Sequence, residues 1–197
     1  MLEFHSAVIL AGGKSTRMGF DKQLLKDQDR FLVEHLMAVL KTRFEDIMVS
    51  SLTPELYDPA TVRVIKDIYE NVGPLGGIHS ALRSAKSDAV FVTACDMPHV
   101  DVSYIDFMMG QMAKGSYDAC VTQRGDHLEV FHAFYCRSAL PALEVKLAEG
   151  RYSVQRFVRS LNALIIPEEQ ARTILPDWRV FTNLNTPEEY AEFQRRR

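Results

Sequence analysis

The chain has 197 residues, 47% of them hydrophobic and 25% charged, with a formal net charge of −3 and a pI of about 6.1. That balance supports one globular core and excludes the broad basic field that nucleic acid would demand, while leaving room for a few local cations around a small anion. The three cysteines are odd in number and include no C-x-x-C pair, which fits buried thiols in a reducing compartment.

The predicted elements alternate along the chain. Ala7 to Ala11 is a continuous apolar run closed by Gly12-Gly13, the pattern of a strand buried on both faces. Phe31 to Phe44 carries a helical stripe, followed by short strands at Asp46–Ser50 and Val62–Ile65. A helix over Leu75–Ala85 precedes a second apolar strand, Ala89–Thr93, and a helix over Asp101–Met112 has Asp101 or Ser103 as its cap. Strands near Ala119–Thr122 and Val130–Tyr135 follow, then helices over Ser138–Glu149 and Ser153–Ser160, and strands near Ala163–Ile166 and Val180–Thr182. A last helix starts at Thr186-Pro187, with threonine as cap and proline at the first helical position.

Such alternation implies crossover connections, a mainly parallel sheet and helices on both faces, in one domain over 1–197. No apolar run reaches membrane-spanning length and the first residues do not read as a leader, so a cytoplasmic protein without membrane or nucleic-acid partners is expected. In parallel sheets ligands sit beyond the carboxyl ends of the strands, which selects the segments after Leu10, Ser50, Ile65 and Thr93.

The first of these, Leu10-Ala-Gly-Gly-Lys-Ser-Thr-Arg-Met-Gly-Phe-Asp-Lys22, joins glycines that let backbone N–H groups approach phosphate to three cations, Lys14, Arg17 and Lys22. A triphosphate, and the charge that develops on a transferring phosphoryl group, needs this combination. It is neither of the commoner phosphate loops: Val8 stands where a Walker A loop needs glycine, and adjacent Gly12 and Gly13 break the dinucleotide spacing. In Ala94-Cys-Asp-Met-Pro98, Asp96 is either a Mg²⁺ ligand or a turn residue, since magnesium takes few protein ligands and fills its shell with water and phosphate. Asp67, leading into Gly73-Pro-Leu-Gly-Gly77, reads as a base or ribose acceptor or as a plain loop residue. Asn183 and Asn185 are two apart, so both amides face one side of an extended segment; an Asx turn is the competing reading. No histidine or cysteine grouping has zinc spacing, and no Gly-x-Ser-x-Gly is present.

Taken in order, these motifs resemble the molybdenum cofactor guanylyltransferase family, from about Ala7 to the last helix. Its signature loop is similar to residues 10–22, and its later motifs to Gly73–Gly77, Cys95-Asp-Met-Pro98 and Asn183-Leu-Asn-Thr-Pro-Glu188. The resemblance implies a three-layer, Rossmann-like nucleotide-diphosphosugar transferase fold in which GTP and molybdopterin meet at the strand ends. It implies that Leu10, Ala11, Gly12 and Gly13 lie against the guanine and phosphates, that Arg17 and Lys22 hold the triphosphate, and that Asp96 binds Mg²⁺. It also puts Asp67 in the nucleotide pocket and Asn183 and Asn185 on the molybdopterin side. Ser50 stands where relatives often carry asparagine, and is retained as a nucleotide contact. The segment Leu128–Phe134 is only loosely similar to the family's. Proteins that deliver the cofactor and molybdoenzymes that accept it are the implied partners. The rival readings are a cytidylyl or sugar-phosphate nucleotidyltransferase, and a non-catalytic nucleotide or cofactor carrier.

Overall fold

A computed structural model describes residues 2–12 and 19–195. Its strands are β1 (Ser6–Leu10), β2 (Lys26–Asp27), β3 (Arg30–Phe31), β4 (Asp46–Ser50), β5 (Arg63–Ile65), β6 (Ala89–Ala94), β7 (Ala119–Arg124), β8 (His127–Cys136) and β9 (Ala163–Ile166). The helices are α1 (Leu32–Leu40), α2 (Pro74–Ser84), α3 (Val102–Met112), α4 (Leu140–Ala148), α5 (Val154–Val158), α6 (Glu168–Arg172) and α7 (Pro187–Arg195). Seven strands form one sheet in the order β5-β4-β1-β6-β8-β7-β9. β8 pairs antiparallel with both β6 and β7, and the remaining pairs are parallel.

The sheet is covered on both faces because its central strands β1 and β6 are apolar apart from the buried Ser6 and Thr93. Side chains alternate across a strand, so Ala7 and Ile9 join one core with Leu36, Phe44, Phe91 and Ile105, while Val8 and Leu10 join another with Leu75, Ile78, Val90 and Leu143. The helices follow from their apolar stripes and caps. In α1 the buried residues are Leu32, Val33, Leu36, Met37 and Leu40, a helical spacing. Asp101 caps α3 by accepting the Tyr104 N–H at 2.8 Å. At α7, Thr186 accepts from the Glu189 N–H at 3.2 Å while the Glu189 carboxylate accepts from the Asn185 and Thr186 N–H groups at 2.7 and 3.0 Å, a reciprocal cap.

Three features depart from expectation. The strand expected over Val180–Thr182 is a 3-10 turn, Arg179–Phe181, entered through Trp178 at a positive φ of 56°. Val180 and Phe181 are both buried in the same core, which consecutive residues of a strand would not be. The small β2–β3 ribbon and α6 were not anticipated, since Lys26–Arg30 and Glu168–Arg172 are mostly polar and offer no apolar period.

At the amino end of the sheet, Asp46 is buried and collects three partners. Arg63 reaches its two oxygens at 2.6 and 2.7 Å, the Ser6 hydroxyl donates at 2.7 Å, and the Lys86 N–H donates at 3.1 Å. This cluster fastens β1, β4 and β5 at the end opposite the site described next.

Candidate active site

The carboxyl edge of the sheet is assembled by ladder bonds that run one residue past the strands. The Ala11 N–H donates to the Ser50 carbonyl at 2.9 Å, the Cys95 N–H to that of Leu10 at 3.0 Å, and the Ser51 N–H to that of Ile65 at 3.1 Å. Four loops therefore leave the sheet side by side, after β1, β4, β5 and β6.

Asp96 sits in the turn after β6, which the Met97 N–H closes onto the Ala94 carbonyl at 3.1 Å. Lys22 comes to it from a 3-10 turn, Lys22–Leu24, capped by Asp21 through the Gln23 N–H at 3.0 Å. The Lys22 ammonium donates to Asp96 at 2.5 Å and to the Asn185 amide oxygen at 2.8 Å, and the Leu184 N–H donates to the Asp96 carbonyl at 2.9 Å. Lys22 and Asp96 side chains are only 19% and 13% exposed, so their charges face each other in a partly desolvated place where electrostatic forces are strengthened.

A supporting network lies behind Lys22. Asp21 also accepts from the Gln23 amide at 2.9 Å, and the Gln23 carbonyl oxygen accepts from the Ser51 hydroxyl at 2.6 Å and the Tyr57 hydroxyl at 2.9 Å. Nothing in the sequence marks these as partners beyond the adjacency of Asp21, Lys22 and Gln23, because Ser51 and Tyr57 are contributed from distant loops.

On the β4 and β5 side, the buried Ser50 hydroxyl donates to Asp67 at 2.6 Å. Burial pushes the Asp67 carboxyl above the usual range, and the Ser50 hydroxyl and the nearby His79 oppose that shift. Helix α2 packs directly on this pair. A Cβ on Gly77 would meet Leu10 Cδ2 at 2.8 Å and Ser50 Oγ at 3.0 Å, and one on Gly76 would meet the Tyr69 carbonyl oxygen at 2.7 Å. The glycines of Gly73–Gly77 therefore serve close packing of α2 against Leu10, Ser50 and Asp67, with Gly73 also supplying a φ of 64° ahead of Pro74.

On the other side of β6 the edge is formed by β8. Because β8 runs against β6, with Val92 opposite Ala133 and Ala89 opposite Cys136, its first residues, not its last, arrive at the carboxyl edge. A cavity of about 300 Å³ there is lined by Pro74, Met97, Glu129, Phe131, Gln155 and Asn183, among others. The Asn183 amide oxygen is buried and has no hydrogen-bond partner among the described residues. Strand β8 bulges before entering the sheet: Thr122 pairs with Glu129 but Cys120 with Phe134, and His132 in between takes a φ of 55°. His132 is fully buried, its Nε2 accepts the Asp101 N–H at 3.3 Å, and burial lowers its pKa to about 4.

The structure thus brings together Lys22, Asp96 and Asn185, pairs Leu10 with Ser50 and Ser50 with Asp67, and leaves Ala11 and Gly12 at the start of the first loop. Gly13 and Arg17 lie outside the described residues. Among the described residues no helix is long and apolar enough to cross a membrane.

A carboxylate and an ammonium at the carboxyl edge of a mostly parallel α/β sheet, with a glycine-bearing first loop beside them, are what an enzyme that transfers nucleotidyl groups requires. Comparison with known proteins gives the particular family. The description MobA-like NTP transferase domain matches residues 7–165. A molybdenum cofactor guanylyltransferase of Syntrophotalea carbinolica is 45% identical over 194 residues, 98% of this chain and 92% of that protein. The fold is shared with the crystal structure of molybdopterin-guanine dinucleotide biosynthesis protein A from Archaeoglobus fulgidus, at a TM-score of 0.85, 24% identity, and coverage of 96% and 97% of the two chains. The chain belongs to the MobA-like NTP transferase domain family and, within it, to the molybdenum cofactor guanylyltransferases.

Proposed function

We propose that the whole chain acts as one domain that transfers GMP from GTP to the terminal phosphate of molybdenum-bound molybdopterin, releasing pyrophosphate. A molybdopterin phosphate oxygen forms the new bond to the α-phosphorus of GTP. The bond from that phosphorus to the bridging oxygen breaks, and pyrophosphate leaves with the electron pair. The attacking phosphate is already ionised near neutral pH, so the chain needs to supply position and positive charge more than a strong base.

The observation that carries this reading is the convergence of Lys22, Asp96 and Asn185 at one point of the sheet edge. Lys22 offsets charge on the triphosphate and the leaving group, together with Arg17. Leu10, Ala11, Gly12 and Gly13 bind the guanine and phosphates through backbone that carries little side-chain bulk. Asp67 accepts from the nucleoside, and Ser50 orients Asp67. Asn183 and Asn185 face the molybdopterin side.

Magnesium fits Asp96. Asp96 presents a partly exposed carboxylate at the end of β6, and Mg²⁺ takes few protein ligands because it fills its shell with water and phosphate oxygens. When bound, it supplies charge neutralisation on the phosphates.

The test is thermal unfolding with GTP, CTP or ATP, each with and without Mg²⁺, on the natural chain and on Asp96→Asn. A ligand at about 100 times its Kd adds roughly 2.7 kcal/mol, or several degrees for a chain of this size. A shift with GTP and Mg²⁺ that CTP and ATP do not match, and that Asp96→Asn reduces, supports guanylyl transfer. A preference for CTP moves the activity to cytidylyl transfer, and no shift with any nucleotide overturns the proposal.

A further inference from the structure

The cavity beside β8 is lined by both Glu129 and Asn183. The Asn183 amide oxygen is buried with no hydrogen-bond donor among the described residues, while the buried Glu129 Oε1 is ion-paired with Arg124 and makes no hydrogen bond there. A buried acceptor is costly unless something donates to it. Glu129 is 13% exposed, with Arg124 Nε 3.3 Å from its carboxylate. Burial raises the Glu129 carboxyl pKa, and Arg124 and His127 pull it back down.

The surroundings hold this carboxylate in place. Gln155 at the start of α5 bonds the backbone of Leu128 from both ends of its amide, accepting from the N–H at 3.4 Å and donating to the carbonyl, and its Nε2 lies 3.1 Å from His127 Nε2. The Tyr135 hydroxyl donates to the Val130 carbonyl at 2.8 Å, bracing the bulge from the other side. The remaining wall contains Phe131, Val130, Met97 and Pro74, apolar surface suited to a flat ring.

We propose that Glu129, with Asn183, reads the amino edge of the pterin ring of molybdopterin; this rests on the guanylyltransferase reading above. A 2-amino-4-oxopyrimidine edge presents two adjacent N–H groups, and a carboxylate receives such a pair through both oxygens. Guanine has the same edge. Glu129 lies on the far side of β6 from Leu10, Ser50 and Asp67, which assigns it to the acceptor and not to GTP.

The test is fluorescence titration with a 6-alkylpterin monophosphate and with its lumazine analogue, in which a carbonyl replaces the 2-amino group. It is run on the natural chain and on Glu129→Gln, with GTP and ITP binding measured by thermal shift alongside. The natural chain is expected to prefer the pterin by about tenfold or more, as the loss of a charge-assisted pair implies. Glu129→Gln is expected to abolish that preference and leave the GTP shift unchanged. Equal binding of the two pteridines by the natural chain, failure of both to bind, or an unchanged preference in Glu129→Gln overturns the assignment. A fall in the GTP shift alone, with the GTP-over-ITP preference lost, would give Glu129 to the guanine instead and overturn it as well. If GTP fails to bind the natural chain, the guanylyltransferase reading fails, whatever the pteridines do.

Discussion

Placing one methyl group on α2 tests how the fold serves the nucleotide side of the site. Alanine at position 77 gains about 1 kcal/mol of helix propensity over glycine. Its Cβ would stand 2.8 Å from Leu10 Cδ2 and 3.0 Å from Ser50 Oγ, both closer than packed atoms tolerate. Overpacking of this kind costs about 1–3 kcal/mol. Displacing Ser50 Oγ also lengthens its 2.6 Å bond to Asp67, and a buried acceptor that loses its donor costs about 1–3 kcal/mol more. The net loss is therefore on the order of 1–5 kcal/mol, and at roughly 2–4 °C per kcal/mol the melting temperature falls by about 2–20 °C. GTP affinity, measured by calorimetry, should fall about tenfold, the equivalent of one hydrogen bond to Asp67. Gly76→Ala provides the control. Its Cβ meets the Tyr69 backbone oxygen at 2.7 Å, which cannot rotate away, so it should lower stability at least as much. A Gly77→Ala protein with unchanged melting temperature and unchanged GTP affinity would refute the view that α2 must lie this close to Leu10 and Ser50.

Three further outcomes are expected. Asp96→Asn should lower turnover by about 10² or more while far-UV circular dichroism is retained, since it removes a charge at the reacting phosphates; near-normal turnover removes Asp96 from the mechanism. His132 binds a proton at its ordinary pKa of 6.5 when unfolded but only near 4 when folded. The stability from keeping it neutral is thus complete above 6.5 and lost as pH falls toward 4, about 3 kcal/mol in all, so urea unfolding at pH 7.5 and 4.5 should show a larger acid loss in the natural chain than in His132→Leu. Equal losses would show that His132 does not stay neutral in the folded chain. Asp46→Ala should cost about 2–4 kcal/mol in urea unfolding, because the Ser6 hydroxyl and the Lys86 N–H lose a buried acceptor, yet leave nucleotide selectivity unaltered; altered selectivity would mean the two ends of the sheet are coupled.

Much of this architecture could be read from the chain itself because its signals are local. Ala7–Leu10 is apolar at every position and Ala89–Thr93 at every position before the buried Thr93, the pattern of a strand covered on both faces. Asp101 and Thr186 announce their helices with side chains that cap within three residues. The reversal of β8 was not legible. Its apolar portion, Val130–Tyr135, looks like a separate short strand, whereas the hairpin extends to Gly125-Asp126 through His127, Leu128 and Glu129, where a single apolar residue between two polar ones gives no strand period. For the same reason the carboxyl-end rule, applied to parallel strands, passed over Glu129. Lys22 and Asp96 were identified from their motifs, but the brace of Gln23, Ser51 and Tyr57 depends on contacts 28 and 34 residues apart that no spacing rule encodes.

The reversed strand also divides the sheet edge into two territories with β6 as the seam. Loops after β1, β4 and β5 build one territory, and the β7–β8 hairpin with Asn183 builds the other. A hairpin can change its tip, length or side chains without disturbing the register of the strands beneath it. The side chains that line the cavity on that side can therefore be changed within the nine residues 124–132, by drift or by grafting, while β1, β4, β5 and the loops after them stay as they are.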